Sequence, residues 1–125
     1  MKKIINTTNA PEPIGPYSQA VLVDNTLYVS GQIPLDPKTN ELVMTDIKAE
    51  TKMVMENLKA ILNEAEMDFS QVVKCSIFIS NMNDFAQINE VYGSFFSSNF
   101  PARETVQVAC LPKNVNVEIS AIAVK

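Results

Sequence analysis

The chain has 125 residues, of which 46% are hydrophobic and 19% are charged, and its formal net charge is −4. This size and composition predict a single globular domain over residues 1–125 rather than a disordered or fibrous protein. An acidic chain without a cluster of lysines or arginines argues against binding to the phosphate backbone of nucleic acids, which requires basic patches.

The sequence contains no histidine. This excludes Ser-His-Asp and Cys-His catalysis and removes the commonest zinc ligand, so acid–base chemistry must use carboxylates, tyrosine, lysine or bound water. We expect neither a metal site nor a cofactor. Cys75 and Cys110 are far apart and form no CxxC motif, which favours two reduced, buried thiols in a reducing compartment. With no apolar stretch long enough for a signal peptide or a membrane span, the prediction is a cytoplasmic protein.

The first third of the chain predicts short strands separated by shaped loops. KIINT (3–7) is typical of an opening strand, whereas NAPEPIGPYSQ (9–19) contains three prolines and a glycine and indicates a loop. AVLVDNTLYVSG (20–31) predicts a hairpin that turns at Asp24-Asn25. IPLDPKTNELV (33–43) is a second turn-rich segment.

The remainder predicts two helices and three strands. A helix over 46–66 is capped by Thr45 or Asp46 and has one apolar stripe, Ile47, Val54, Leu58, Ile61, Leu62 and Ala65. A strand over 72–80 precedes a second helix over 83–96, which is capped by Asn83 or Asp84 and has Phe85, Ile88, Tyr92 and Phe95 on one side. Two further strands, 104–111 and 115–124, flank the turn Pro112-Lys113-Asn114 and suggest a final hairpin. The order β-β-β-α-β-α-β-β predicts an α+β domain with two helices on one face of a mixed sheet.

The strand faces suggest an oligomer. Val106, Val108 and Cys110 alternate with polar residues and are assigned to the core, like the apolar positions of the strands over 72–80 and 115–124. The opposite face carries small neutral polar groups, some Phe and Ile, and few charges. Such a face usually contacts another subunit, which predicts a homo-oligomer.

Arg103 is the only arginine in the chain. One interpretation is an ion pair at a surface or subunit interface, an arrangement that contributes little to stability. The other is that its planar, five-donor guanidinium holds a carboxylate or phosphate in a fixed orientation, which lysine does poorly. Because lysine supplies every other fixed positive side chain, the choice of arginine favours the second interpretation.

Glu118 lies in the middle of a predicted strand. It is either a solvated charge that discourages edge pairing or, if the second sheet face is buried in an oligomer, a group that orients or deprotonates a water. Two other positions have two interpretations as well. Tyr17 is an ordinary aromatic or a phenol at a pocket, and Ser30-Gly31 is a turn or a close approach to a ligand. Asn89 lies within a predicted helix, where asparagine is a mediocre helix former, and this suggests that its side chain is used for contacts.

Four segments together resemble the RidA/YjgF family of reactive-intermediate deaminases, also known as the L-PSP endoribonuclease family. They are NAPEPIGPYSQA, VSGQIPLDPKTNE, NDFAQINEVYGSFF and FPARETVQVACLPKNVNVEISAIA, and they span almost the whole chain. The last contains Pro-Ala-Arg, a Leu-Pro turn and a Val-Glu-Ile strand. The number, order and spacing of these matches make the resemblance specific.

The resemblance implies a chorismate-mutase-like fold that forms a homotrimer with three ligand pockets between subunits. It also implies hydrolysis of 2-imino acids, such as 2-iminobutanoate and 2-iminopropanoate, to 2-keto acids and ammonia, without a cofactor. Relatives remove imines that pyridoxal-phosphate enzymes such as threonine dehydratase release. Carried over by position, Arg103 clamps the substrate carboxylate and Glu118 holds the attacking water. The implied pocket residues are Tyr17, Ser30, Gly31, Asn89 and Thr105.

Two positions depart from the family pattern. The residue after the arginine is usually small, but here it is Glu104, which could compete for the guanidinium. Many active imine deaminases have cysteine at the next position, where this chain has Thr105. These changes motivate an alternative, a non-catalytic regulatory protein that binds small keto or imino acids. A ribonuclease or translation inhibitor is a third hypothesis, which the acidic composition disfavours.

Overall fold

The computed structural model describes residues 1–125 and contains a six-stranded sheet, a two-stranded hairpin and two helices. The strands of the large sheet are Lys2–Ile5 (β1), Ala20–Val23 (β2), Thr26–Gln32 (β3), Val72–Ile79 (β6), Ala102–Gln107 (β7) and Val117–Val124 (β8). The hairpin consists of Leu35–Asp36 (β4) and Glu41–Leu42 (β5), and the helices are Ile47–Glu64 (α1) and Phe85–Gly93 (α2). The predicted α+β order is therefore confirmed, with β4 and β5 added in the turn-rich segment. No helix is long and apolar enough to cross a membrane.

The large sheet has the order β1-β2-β3-β8-β6-β7 and is mixed. Only β6 and β7 are parallel, and α2 forms the crossover between them. The final hairpin suggested by the sequence is wrong, because β6 lies between β7 and β8. Strand β7 carries exposed polar residues such as Glu104 and Gln107, as expected of a strand at the edge of a sheet. Strand β8 buries alternate residues, as expected of a central strand.

Helix α1 follows its sequence signals closely. The carboxylate of Asp46 accepts a hydrogen bond of 2.8 Å from the backbone N–H of Ala49 and so caps the first turn. All six residues of the predicted apolar stripe are buried. The stripe packs on the large sheet, and the resulting core cluster contains 23 buried residues from the sheet, the helices and adjoining segments.

Helix α2 is shorter than predicted and is preceded by a 3-10 turn, Met82–Asp84. The predicted cap by Asn83 or Asp84 is confirmed in position, at Asp84, but not in its hydrogen bond. Asp84 occupies the position before α2 but makes no capping hydrogen bond with its side chain, and Asn81 instead accepts one from the N–H of Asn83. The capping hydrogen bond lies further upstream because the 3-10 turn begins before the α-helix.

The predicted orientation of β7 is also wrong. Parallel pairing aligns Arg103 with buried Cys75 and aligns Thr105 with buried Ile77, so Arg103 and Thr105 face the helices. Val106 consequently lies on the opposite face and is exposed. Cys110 lies beyond the end of the strand and is exposed rather than buried, while Cys75 is buried as expected.

Both helices cover one face of the sheet, which we call the helix face. The other, the outer face, is uncovered within the chain. Exposed or half-buried apolar residues run across it, namely Ile4, Val21, Tyr28, Phe78, Val106, Ile122 and Val124. The unusual second face anticipated from the sequence is therefore present.

Candidate functional site

The guanidinium of Arg103 is held by one face of α2. Its Nη1 donates a hydrogen bond of 2.6 Å to Oδ1 of Asn89. Its Cζ lies 5.2 Å from the ring centroid of Tyr92 and 5.6 Å from that of Phe85, within the range of cation–π contacts. Residues 85, 89 and 92 have the spacing i, i+4, i+7, which places them on one side of a helix.

No acidic side chain neutralises Arg103. The two salt bridges of the chain join Lys48 to Glu90 and Lys74 to Glu104. Asn89 is uncharged, and burial raises the pKa of the nearby Tyr92 hydroxyl and Cys75 thiol, which keeps both neutral at physiological pH. The half-buried guanidinium thus has free donors and an uncompensated positive charge, and it can bind a carboxylate or phosphate.

Thr105 lies two residues beyond Arg103 on the same helix face. Its hydroxyl oxygen is buried and has no hydrogen-bond partner. An unpartnered buried hydroxyl is unfavourable by about 1–3 kcal/mol. The Thr105 side chain therefore adds an unused polar group beside the arginine.

Glu118 and Gly31 meet on the outer face. Val29 pairs with Ala121 and Gln32 with Ile119, so Ser30 and Gly31 together lie opposite Ser120 in a β-bulge. A methyl group on Gly31 would lie 1.9 Å from Oε2 of Glu118, so glycine is required for this approach. Burial raises the pKa of Glu118 above its usual value.

Ser30 and Tyr17 lie near Gly31. The backbone N–H of Ser30 donates to the carbonyl of Gln19, and its hydroxyl donates to the carbonyl of Ser18. The N–H of Ser30 is therefore already paired. Tyr17 is half exposed, accepts a hydrogen bond from the N–H of Ile14, and lines a small cavity together with Gly31.

The buried side chain of Gln19 fixes the loop that carries Tyr17. Its Oε1 accepts from the N–H of Thr7, and its Nε2 donates to the carbonyls of Thr7, Ala10 and Pro11. Gln19 was not among the residues predicted from the sequence. The only indication of its structural role in the sequence is its position between a proline-rich loop and a strand.

The seven residues selected from the sequence form two groups on opposite faces of the sheet. Arg103, Asn89 and Thr105 belong to the helix-face group. Glu118, Ser30, Gly31 and Tyr17 belong to the outer-face group. Arg103 aligns with Cys75, whereas Glu118 aligns with Phe78, whose side chain lies on the other side of β6. Arg103 and Glu118 of one chain consequently do not face a common ligand.

Glu104, which might have competed for the arginine, is directed elsewhere. Its carboxylate accepts a hydrogen bond from the Ser76 hydroxyl and lies 3.0 Å from Nζ of Lys74 on the outer face. These contacts, with the Ser76 hydrogen bond as the larger cause, lower the pKa of Glu104. Within one chain, Glu104 leaves the Arg103 guanidinium free.

Phe85 and Tyr92 were predicted from the sequence only as members of an apolar stripe, and their contacts with Arg103 were not predicted. The spacing of Phe85 and Tyr92 from Asn89 places all three residues on one side of a helix, and this could have indicated a shared contact with Arg103. No group of three or more His, Cys, Asp or Glu side chains in the chain could hold a metal ion.

Comparisons with known proteins give a consistent picture. Residues 7–125 match the family model described as Endoribonuclease L-PSP. A RutC family protein of Pyrococcus horikoshii is 53% identical over 125 residues, which cover 100% of this chain and 99% of the relative. The human 2-iminobutanoate/2-iminopropanoate deaminase is 47% identical over 125 residues, which cover 100% of this chain and 91% of the relative. The crystal structure of Escherichia coli TdcF with bound serine superposes with a TM-score of 0.95 at 45% identity and 98% coverage of both chains. The resemblance found in the sequence is confirmed.

Proposed function

The chain belongs to the Endoribonuclease L-PSP family, and on this premise we propose that it hydrolyses small reactive 2-imino acids to 2-keto acids and ammonia. Full-length relatives named 2-iminobutanoate/2-iminopropanoate deaminase support this reaction, and the relative with bound serine supports a small amino-acid-like ligand. The proposed substrates are 2-iminobutanoate and 2-iminopropanoate.

The observation that carries the proposal is the unpaired charge of Arg103. The guanidinium is half buried, is oriented by Asn89 and lies beside two aromatic rings. No carboxylate of the chain forms a salt bridge with it. A 2-imino acid supplies one, because its carboxylate accepts two parallel hydrogen bonds from the guanidinium. The clamp fixes the adjacent C=N carbon relative to the rest of the site.

Glu118 holds the attacking water and transfers the proton that this water loses. As the water oxygen bonds to the imine carbon, the Glu118 carboxylate accepts a proton from it, and the C=N double bond becomes a C–N single bond. This proton passes to the nitrogen and gives a carbinolamine. Glu118 then accepts the proton of the new hydroxyl group and transfers it to the amino nitrogen, so that the carbonyl forms as the C–N bond breaks and ammonia leaves. Partial burial raises the pKa of Glu118, which makes it a better base than an exposed carboxylate. The step requires neither histidine nor metal.

The complete site is proposed to form between subunits of a homotrimer. Arg103 and Glu118 lie on opposite faces of one sheet, so a ligand that meets both must take them from different chains. The apolar outer face supports such an assembly. In this arrangement Arg103, Asn89 and Thr105 come from one subunit and Glu118, Ser30, Gly31 and Tyr17 from its neighbour.

The test couples threonine dehydratase to the purified protein and follows the decay of released 2-iminobutanoate. We expect wild type to accelerate the decay. We expect Arg103→Ala to fold and assemble but to lose activity at least roughly a hundredfold, since a charge-assisted bidentate contact is absent. Light scattering on each protein separates loss of the clamp from loss of the assembly. Retained turnover in Arg103→Ala would remove the clamp from the account.

A second candidate function is keto- or imino-acid binding without turnover. Thr105 favours it, because the resemblance implies cysteine at this position in many active imine deaminases and because the Thr105 hydroxyl has no partner. This function predicts binding of 2-oxobutanoate by a correctly assembled protein that leaves imine decay unchanged. Arg103-dependent acceleration would exclude it. The ribonuclease activity that the family description names receives no support from the chain's charge of −4.

A further inference from the structure

Asn89 alone does not fix the plane of the Arg103 guanidinium. One hydrogen bond, from Nη1 to Asn89, leaves the group free to rotate about that contact. Bidentate recognition of a carboxylate requires a defined plane, so a second constraint is needed. The rings of Tyr92 and Phe85 are the groups that the structure places beside it.

The two rings differ in how firmly they are held. Phe85 lies at the start of α2 and is 37% exposed, whereas Tyr92 is 4% exposed and belongs to the core cluster. The ring of Tyr92 also packs against Phe96, with centroids 5.0 Å apart. The ring of Tyr92 is thus held by the packing of the core, whereas the ring of Phe85 is the more exposed neighbour of Arg103.

We propose that Tyr92 is a positioning residue for Arg103. Its buried ring fixes the plane of the guanidinium before the ligand arrives, while Asn89 fixes the direction in which one nitrogen points. The inference rests on the proposed function for the identity of the ligand, a small 2-keto or 2-imino carboxylate. The position of the guanidinium can be measured without that ligand.

The ring, not the hydroxyl, carries this role. The Tyr92 hydroxyl is buried and has the Cys75 thiol, a weak hydrogen-bonding group, as its polar neighbour, so removing the hydroxyl breaks no contact with Arg103. Tyr92→Phe therefore preserves the support, and Tyr92→Leu removes it while keeping an apolar side chain. These two variants separate the aromatic contact from the rest of the residue.

The first measurement uses the fact that Arg103 is the only arginine. Its Nε–Hε group gives one signal in a ¹⁵N–¹H spectrum, and side-chain protons above aromatic rings are shifted upfield. We expect upfield-shifted Arg103 side-chain protons in wild type and Tyr92→Phe, and a shift toward the free-peptide value in Tyr92→Leu. Unshifted protons in the folded wild type would overturn the inference even if Tyr92→Leu failed to fold.

The second measurement is calorimetric binding of 2-oxobutanoate, combined with steady-state kinetics on 2-iminobutanoate. We expect Tyr92→Leu to weaken binding and raise KM several-fold to roughly tenfold, with kcat changed much less, because cation–π support of a desolvated guanidinium is of this size. Tyr92→Phe should match wild type. Leu62→Ala, which opens a cavity in the core stripe of α1, provides a destabilised control that should leave KM unchanged.

Equal affinity in Tyr92→Leu and wild type, or an equal loss in Leu62→Ala, would overturn the positioning role. Absence of keto-acid binding in wild type would instead contradict the proposed clamp. In that case the Arg103 side-chain proton shifts in wild type, Tyr92→Phe and Tyr92→Leu would still show whether the ring at position 92 positions the guanidinium. The two proposals therefore fail in different ways.

Discussion

In the proposed mechanism, the carboxyl group of Glu118 couples the reaction to pH. It is half buried on the outer face, beside the Gly31 backbone, and burial raises its pKa above the ordinary value of 4.5. Because the folded chain favours the protonated form, the stabilising contribution of this group is complete at low pH. It is lost as the pH rises through the raised pKa.

The direction of this pKa shift gives a prediction for the stability of Glu118→Gln. Replacing the carboxyl by a neutral amide should leave stability similar to wild type at acidic pH, and should make the variant the more stable protein at neutral pH. Urea midpoints from pH 4 to pH 8, at one protein concentration, measure the difference. Glu41→Gln, at an exposed position, is the control. A stability difference that stays constant across this range, or favours wild type at neutral pH, would show that Glu118 is not desolvated.

The same titration should govern turnover. In the proposed mechanism the carboxylate activates the water, so kcat of wild type is expected to fall as the pH drops through the Glu118 pKa, and Glu118→Gln should be inactive throughout.

At the level of single residues, Arg103 could be singled out from the sequence because it is the only arginine, and Asn89 because of its poor helix propensity. The sequence did not separate Tyr92 from the core stripe, because a buried ring serves packing and arginine support with the same side chain.

Among the secondary-structure elements, the bulge in β3 determines how the outer-face group is arranged. Two residues of β3 opposite one of β8 bring the Gly31 backbone beneath the Glu118 carboxyl. None of the three glycines has a positive φ, so the requirement at position 31 is space and not backbone conformation. An added methyl group must displace the flexible carboxyl end of Glu118.

Gly31→Ala should therefore reduce activity strongly and stability little. A carboxylate moved by about 1 Å is expected to lose roughly a hundredfold in kcat. Gly93→Ala is the matched control, because a methyl group at Gly93 meets no atom within 4 Å; this change should be neutral or stabilise by up to about 1 kcal/mol. Turnover and thermal unfolding of both variants check this. Full activity in Gly31→Ala would mean that Glu118 need not occupy its present position.

The elements predicted best from sequence are those with local signals. The α1 stripe and its Asp46 cap, and the hairpin at Asp24 with φ of 52°, are local features and are confirmed. The neighbours of β7 could not be predicted in the same way. Its parallel pairing with β6 depends on a crossover through α2, and that pairing decides that Arg103 faces the helices. The alternation of Val106, Val108 and Cys110 suggested the opposite.

At the scale of the whole molecule, the sheet separates the two groups of site residues. The helix-face group supplies a positive charge and the outer-face group a carboxylate, and they cannot meet in one chain. The sequence singled out these candidate residues but could not predict on which face of the sheet each one lies, because that depends on the strand register. The apolar outer face is uncovered within the chain, so subunits can associate through it. Such association can bring the helix-face group of one subunit next to the outer-face group of its neighbour.

The most direct test of this account is subunit complementation between Arg103→Ala and Glu118→Ala. The two inactive variants are mixed in equal amounts, dissociated, reassembled and assayed with 2-iminobutanoate, with the trimer checked by light scattering. Random mixing should restore roughly a quarter of wild-type activity, because one interface in four combines an intact Arg103 with an intact Glu118 from the neighbour. The double variant Arg103→Ala/Glu118→Ala, reassembled with either single variant, should restore none. Mixed trimers of the two single variants that remain inactive, while reassembled wild type recovers its activity, would contradict a site shared between subunits.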